Sequence, residues 1–294
     1  MFEHYREPHI ADELARINSC TKSVLSALIC TAVDRGLLPD PTAAPVSQFF
    51  PRLAADPDSR KLDMTLLHLL TMTSGIRWQE FGGLNSFPAM TKTPDWIAHV
   101  LEQPLSEPPG TMMTYNSGVS QLLSAILSQA AGMSTARFAE LNLFGPLGIE
   151  DYEWETDPQG IHTGGFGLRL RPSDLLKLGQ LMLQRGRWDG ARLFSPVLAE
   201  RAVRPFAAAG PPYNGEYGWH WWCGSYPPPT DALAGTSVTE RQKSIAYFYA
   251  QGFGGQFVYV VPEAELVAVV TQDSRKRKQP NLFAELIAPL IADN

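Results

Sequence analysis

Cysteine is scarce in this chain. Cys20, Cys30 and Cys223 are odd in number and none belongs to a C-x-x-C pair. A disulfide framework is therefore excluded, and a reducing compartment fits. Cysteine and histidine clusters at ligand spacing are missing too, so neither a metal nor a cofactor is expected. No apolar run reaches the ~18 residues of a membrane span. The opening MFEHYREPHIADELAR lacks the apolar stretch of a secretion signal, so a cytoplasmic location is expected. An excess of basic charge is also absent. With 24 Lys and Arg against 30 Asp and Glu the net charge is −6, which argues against nucleic acid as a partner. The one basic run, Arg275-Lys276-Arg277-Lys278, is short and reads as a solvated loop. Internal repeats and low-complexity tracts are missing.

What is present is a long, apolar, turn-punctuated chain. Its 294 residues, 44% of them hydrophobic, are enough for one compact body with a large core. The opening MFEHYREPHI suggests a short strand. Val24, Leu25, Leu28, Ile29, Ala32 and Val33 recur at helical spacing, predicting a helix over 19–35 with Asn18 as N-cap and Gly36 as its stop. Residues 37–62 read as loop. MTLLHLLTMTSG predicts a short helix ended by Gly75, and TPDWIAHVLEQ another. SEPPGTMMTYNSG is a turn-rich loop feeding the helix VSQLLSAILSQAAG. In RPSDLLKLGQLMLQRG, Ser173 or Asp174 is the start signal. Past about residue 215, aromatic and β-branched runs bounded by Gly and Pro predict successive antiparallel strands, closed by the amphipathic NLFAELIAPLIADN. Strands segregated from helices indicate an α+β fold. One domain over 1–294 is expected. Its sheet-and-helix lobe would comprise 1–55 and 205–294, and a mostly helical lobe would span 56–204.

The stretch RINSCTKSVLSALICTAVDRGLL poses a chemical question. Ser19 and Lys22 stand at i and i+3, neighbours on one helix face. The helix is apolar nearly all round, so it should be buried. Its first turn carries the positive end of the dipole, which disfavours a cation. Desolvation lowers a lysine pKa by up to about 3–5 units, bringing Lys22 toward neutrality near pH 7. A neutral amine beside a hydroxyl is a general base next to a nucleophile. The alternative is that Lys22 snorkels to solvent while Ser19 caps the helix.

Three further blocks bear on that choice. LLHLLTMTSGI, PGTMMTYNSG and GGFGLRLRPSDLLKLGQLMLQRGRWDG follow SCTKSVLSALI in order. SCTK resembles the S-x-x-K nucleophile motif of the serine β-lactamase and penicillin-binding-protein family. The other three are similar to blocks of its class C branch, with Tyr115 and Ser117 on the tyrosine motif. The nearest flavour is that of family VIII carboxylesterases and 6-aminohexanoate-dimer hydrolase. The resemblance implies an antiparallel sheet flanked by helices, with a mostly helical lobe inserted and the active site between. It implies Ser19 as nucleophile, and Lys22 and Tyr115 as acid and base with the division between them open. QGFGGQFVYVVP aligns with the family's K-T-G-like strand, which places Phe253, Gly255 and Gln256 in the substrate site. The backbone N–H groups of Ser19 and Gln256 would be the oxyanion donors. Glycines at 254 and 255 would let substrate lie against the backbone.

The chain also departs from that pattern. Phe253 stands where the motif lysine would bind a β-lactam carboxylate, favouring a neutral or apolar acyl substrate. Ser117 stands where many relatives carry Asn. Only 18 residues precede Ser19, so either the true start lies upstream or this is a shortened member whose sheet would lack at least one strand, and an unpaired edge would invite association of copies. The implied function is a serine hydrolase of small esters or amides. The alternatives are a non-catalytic ligand-binding relative and a weak β-lactamase or D-amino peptidase. A Ser-His-Asp triad is disfavoured because no G-x-S-x-G elbow occurs. His68 reads as a core residue. His220, among Trp219, Trp221 and Trp222, either lines the pocket or packs between strands, and the tryptophans would make an apolar acyl site.

Overall fold

The computed structural model describes residues 2–211, 213, 215–226, 244–272 and 282–292. The basic run at 275–278 lies outside them. The principal sheet has six antiparallel strands. Across it run Leu266–Val270, Gln256–Val261, Ile245–Gly252, Trp222–Tyr226, Glu216–Tyr217 and Ala207–Ala208. Each pairs with its neighbour in sequence, so the sheet is a meander, with Val258 opposite Ala250 and Tyr259 opposite Ala268. The aromatic and β-branched runs do form these strands.

Period-two alternation along Gln256–Val261 serves two cores at once. Val258 and Val260 join the large cluster that includes the Thr21–Asp34 helix, whereas Phe257, Tyr259 and Val261 meet Leu282, Phe283 and Ile287 of the C-terminal helical segment. A sheet covered by helices on both faces, its strands grouped apart from them in sequence, is the expected α+β architecture. The helix Pro172–Leu183 packs directly on strands 256–261 and 266–270. Gly179 permits that approach: a Cβ there would stand 2.5 Å from Val267 Cγ1 and 2.9 Å from Val258 Cγ1.

The Thr21–Asp34 helix ends as its sequence predicts. Gly36 takes φ 71, its N–H donates to the Val33 carbonyl at 3.0 Å, and Leu37 N–H reaches Ala32 at 2.9 Å. That 5→2 and 6→1 pair is a Schellman closure. Its start differs from expectation. Asn18 to Cys20 form a 3₁₀ turn ahead of the helix, and Asn18 makes no side-chain cap. Its amide instead donates to the Phe253 carbonyl at 2.6 Å.

Three other boundaries move. The opening residues form a 3₁₀ turn at Pro8–Ala11, because Pro8 has no N–H for a ladder. The strand lies at Ala15–Arg16, pairing with Leu168–Leu170, which also pairs with Glu153–Trp154. The helix Leu66–Leu70 stops before Met72, which adopts φ 60; Gly75 serves close packing, since a Cβ there would meet the Glu107 carbonyl oxygen at 2.1 Å. The helix from Pro172 is opened by that proline rather than capped by Ser173 or Asp174. Among the described residues, no helix is long and apolar enough to cross a membrane.

Candidate active site

Two helix starts converge here. The first is the 3₁₀ turn Asn18–Cys20 leading into Thr21–Asp34. Asn18 holds a left-handed φ of 48, a conformation asparagine tolerates better than most residues. The second is Ser117–Ala131, capped by Asn116, whose Oδ1 accepts from Val119 N–H at 3.1 Å. The cap fixes the chain so that Tyr115 precedes it and Ser117 follows it, both beside Lys22.

Lys22 is 1% exposed and lies at the meeting point. Its Nζ is 3.1 Å from Ser19 Oγ, 2.9 Å from Ser117 Oγ and 2.8 Å from the Gly165 carbonyl oxygen. The nitrogen also stands 4.9 Å from the Tyr115 ring centre. Ser19 also acts on the Tyr115 phenol as a polar neighbour, drawing its pKa down. The snorkelling alternative is thereby removed, because the amine is buried and points at Ser19, Ser117 and the Gly165 carbonyl.

Burial pushes the Lys22 amine down to about 8, and the Glu80 carboxylate works against that fall. The expectation of neutrality near pH 7 is therefore corrected upward by a carboxylate the sequence did not announce. Burial and Glu80 together raise the Tyr115 phenol well above its ordinary value, opposed by Ser19. The phenol is thus the proton-bearing partner at neutral pH, and the amine is the group able to lose a proton.

Glu80 links these parts. Its Oε2 accepts from Ser117 N–H and from Trp78 Nε1–H, each at 2.9 Å, while its Oε1 accepts from the Ser117 hydroxyl. The stretch WQEFGG carries no motif, so nothing in the sequence pointed to this residue. Gly165 was missed as well, although the doublet Gly164-Gly165 was a usable signal. A Cβ on Gly164 would stand 1.9 Å from the Ser120 carbonyl oxygen, and one on Gly165 3.2 Å from Lys22 Nζ. Only bare backbone fits between the two helices.

The hairpin at 252–256 closes the site from the sheet side. Asn18 grips Phe253 by its carbonyl, and Cys20 Sγ lies 3.6 Å from the Gln256 carbonyl oxygen. Gly254 and Gly255 hold φ 87 and 99. They make the hairpin bend, and the space a Cβ on Gly255 would need is filled by Gln272. Gln256 is 5% exposed, with its amide donating to the Gln272 carbonyl. Phe253, by contrast, is 63% exposed and its ring faces that of Phe81 at 6.5 Å.

The tryptophans and His220 belong mainly to the core. Trp219, Trp221 and Trp222 are all buried; Trp221 meets Phe248 edge-on and Trp219 lies under Arg201. Trp222 alone approaches the site, stacked on Tyr115 at 5.8 Å. His220 lies behind Lys22. Its Nδ1–H donates to the Leu70 carbonyl at 2.9 Å, which leaves Nε2 to accept from Ser120 Oγ at 3.0 Å. Burial first, then the Lys22 charge, push its pKa down to about 3, so it stays neutral. His68 is half-buried and accepts the Thr65 N–H at its helix start.

Known proteins share this arrangement of the chain. A putative 6-aminohexanoate-dimer hydrolase from Bacillus anthracis superposes with a TM-score of 0.75 at 19% identity, over 99% of this chain and 75% of that one. A family VIII carboxylesterase superposes at 0.71 with 16% identity, over 96% and 84%. Likenesses at such identity establish the fold. The D-alanyl-D-alanine-carboxypeptidase/endopeptidase AmpH of Escherichia coli (strain K12) is 27% identical over 150 residues, 50% of this chain and 38% of that protein. The matched part thus spans well under half of that curated relative. Residues 2–288 match the family described as Beta-lactamase, and with nearly the whole length matched the chain belongs to the beta-lactamase family.

Proposed function

We propose that the protein is a serine hydrolase that cleaves a small ester or amide through an acyl-enzyme. The observation that carries this reading is the buried Lys22 Nζ at 3.1 Å from Ser19 Oγ. In its neutral form Lys22 takes the hydroxyl proton while Ser19 Oγ forms a bond to the acyl carbon. The negative oxygen so formed is held by the backbone N–H groups of Ser19 and Gln256. Tyr115 donates its proton to the departing alcohol or amine, and the Lys22 ammonium restores it to the phenolate. Water then gives a proton to neutral Lys22 as its oxygen bonds to the acyl carbon; the bond from that carbon to Ser19 Oγ breaks, Lys22 returns the proton to Oγ, and the acid leaves. The raised phenol and lowered amine support this division, with Lys22 as base and Tyr115 as acid.

The acyl group is neutral and apolar. The resemblance aligns Phe253 with a lysine that would pair with a carboxylate, and the Phe253 ring faces that of Phe81, itself 70% exposed. Two exposed aromatic rings side by side suit an apolar chain and offer nothing to an anion.

A fluorophosphonate probe and a panel of p-nitrophenyl esters, linear amides, a D-alanyl-D-alanine peptide and a chromogenic cephalosporin test the reading. Wild type should be labelled and should prefer the esters, and Ser19→Ala should lose both labelling and turnover. Lys22→Ala should lower turnover by about 10²–10⁴-fold, as general-base loss does. An unlabelled wild type, or unchanged turnover in Lys22→Ala, would falsify it.

A further inference from the structure

The hydrogen bonds around Lys22 contain a count that fixes the direction of its lone pair, and Glu80 is what fixes the count. The inference rests on the hydrolase reading above. A neutral amine has two hydrogens and one lone pair. Its three oxygen neighbours are the Gly165 carbonyl, Ser117 Oγ and Ser19 Oγ. The Gly165 carbonyl can only accept, so it takes one hydrogen. Ser117 could either accept from Lys22 or donate to it. Its hydroxyl hydrogen is already given to Glu80 Oε1, so it accepts the second. The lone pair is then left facing Ser19, whose hydroxyl donates to it. We propose that Glu80 is a positioning residue: by holding the Ser117 hydroxyl hydrogen, it turns the Lys22 lone pair onto Ser19.

The carboxylate is itself fixed. Oε2 receives the Ser117 N–H and the Trp78 Nε1–H, so Glu80 cannot rotate without abandoning both donors. The titratable groups facing Lys22 are Cys20 on its own turn, Tyr115 and His220 from packed elements, and Glu80. Burial keeps the Cys20 thiol and the Tyr115 phenol protonated, and His220 is neutral. Glu80 is then the one charge among them that acts on the amine.

Glu80→Gln inverts the arrangement rather than merely weakening it. The two N–H donors require the glutamine oxygen at the Oε2 position, which places the NH₂ against Ser117 Oγ. Ser117 must then accept from Gln and donate toward Lys22, where its hydrogen competes with that of Ser19 for the lone pair. The test measures the acylation burst with p-nitrophenyl butyrate against pH, together with an NMR titration of the Lys22 side chain. Wild type, Glu80→Gln, Glu80→Asp, Ser117→Ala and the Glu80→Gln/Ser117→Ala double variant are compared.

Glu80→Gln should lose about 10–100-fold in acylation rate with little change in KM, a loss of the size general-base misalignment brings. Its Lys22 titration and the acidic limb of its rate profile should both move to lower pH. Glu80→Asp, which keeps the charge, should recover part of the rate. The double variant should be no slower than the slower single one. An unmoved Lys22 titration overturns the proposal, and so does a rate loss in Glu80→Gln that simply multiplies with that of Ser117→Ala. Should Glu80→Gln fold poorly, Ser117→Ala and Glu80→Asp decide: full wild-type acylation in Ser117→Ala overturns it. The Lys22 titration needs no turnover, so a failure of the hydrolase reading, seen as an unlabelled Ser19, is distinguishable from a failure of this one.

Discussion

Lys22 and Gly165 touch with no side chain between them. The ammonium nitrogen donates to the glycine carbonyl at 2.8 Å, and a Cβ on Gly165 would stand 3.2 Å from the same nitrogen and from Ser117 Cβ. Gly165→Ala must therefore displace the amine or Ser117 by a few tenths of an ångström. Misplacements of that order near reacting groups cost rate more than stability. Turnover of a p-nitrophenyl ester should fall by about tenfold or more, with only a modest loss in melting temperature. Gly164→Ala is the contrast, because its Cβ would collide with the Ser120 backbone oxygen at 1.9 Å. That variant should lose far more stability. Wild-type turnover in Gly165→Ala would mean that Lys22 does not work from this position.

The pH dependence of the reaction follows from the same amine. With a pKa of about 8, Lys22 is neutral in roughly one molecule in ten at pH 7 and in half of them at pH 8. Only the neutral form can accept the Ser19 proton. The kcat/KM for an ester, corrected for the uncatalysed reaction, should rise with pH through a midpoint near 8. Tyr115 is raised well above 10, so no descending limb should appear below about pH 10. A profile already flat from pH 6 upward would exclude Lys22 as the base.

Much of this site was legible because its central residues obey local rules. Ser19 and Lys22 are three apart on a helix, and the run of apolar residues around Lys22 foretold its burial. Tyr115 was reached through the resemblance of PGTMMTYNSG to the family's tyrosine motif, in a loop just before a helix. Gly36 followed from turn chemistry, and the strands from aromatic and β-branched runs bounded by Gly and Pro. What the chain concealed depends on contacts distant in sequence. Glu80 meets Ser117 across 37 positions and Gly165 meets Lys22 across 143. Neither residue type is unusual in its own segment. Asn18 misled for a related reason. Its amide found the Phe253 carbonyl 235 residues away, and that tertiary bond displaced the local cap. The tryptophans misled because strand alternation assigns a side chain to a face without saying whether that face lines a cleft. Trp221 faces Phe248 in the core, whereas its neighbour Trp222 stacks behind Tyr115.

His220 makes a last prediction, one about stability rather than rate. Its folded pKa is pushed down to about 3, against an ordinary value of 6.5, by burial and by the Lys22 charge. Below about pH 6.5 the unfolded chain takes up a proton that the folded chain refuses. Stability from this group is therefore fully present above pH 6.5 and drains away as the pH falls toward 3, at about 1.4 kcal/mol per unit. His220 sits at φ 57, a conformation asparagine also tolerates, and an asparagine amide can still donate toward Leu70. His220→Asn gives up the bond to Ser120 and should be less stable than wild type at pH 7. The deficit should shrink steadily between pH 6.5 and pH 4, because the variant has no proton to refuse. Urea unfolding at pH 7, 5.5 and 4 measures it, and parallel curves for the two proteins would show that His220 is not held neutral by the fold.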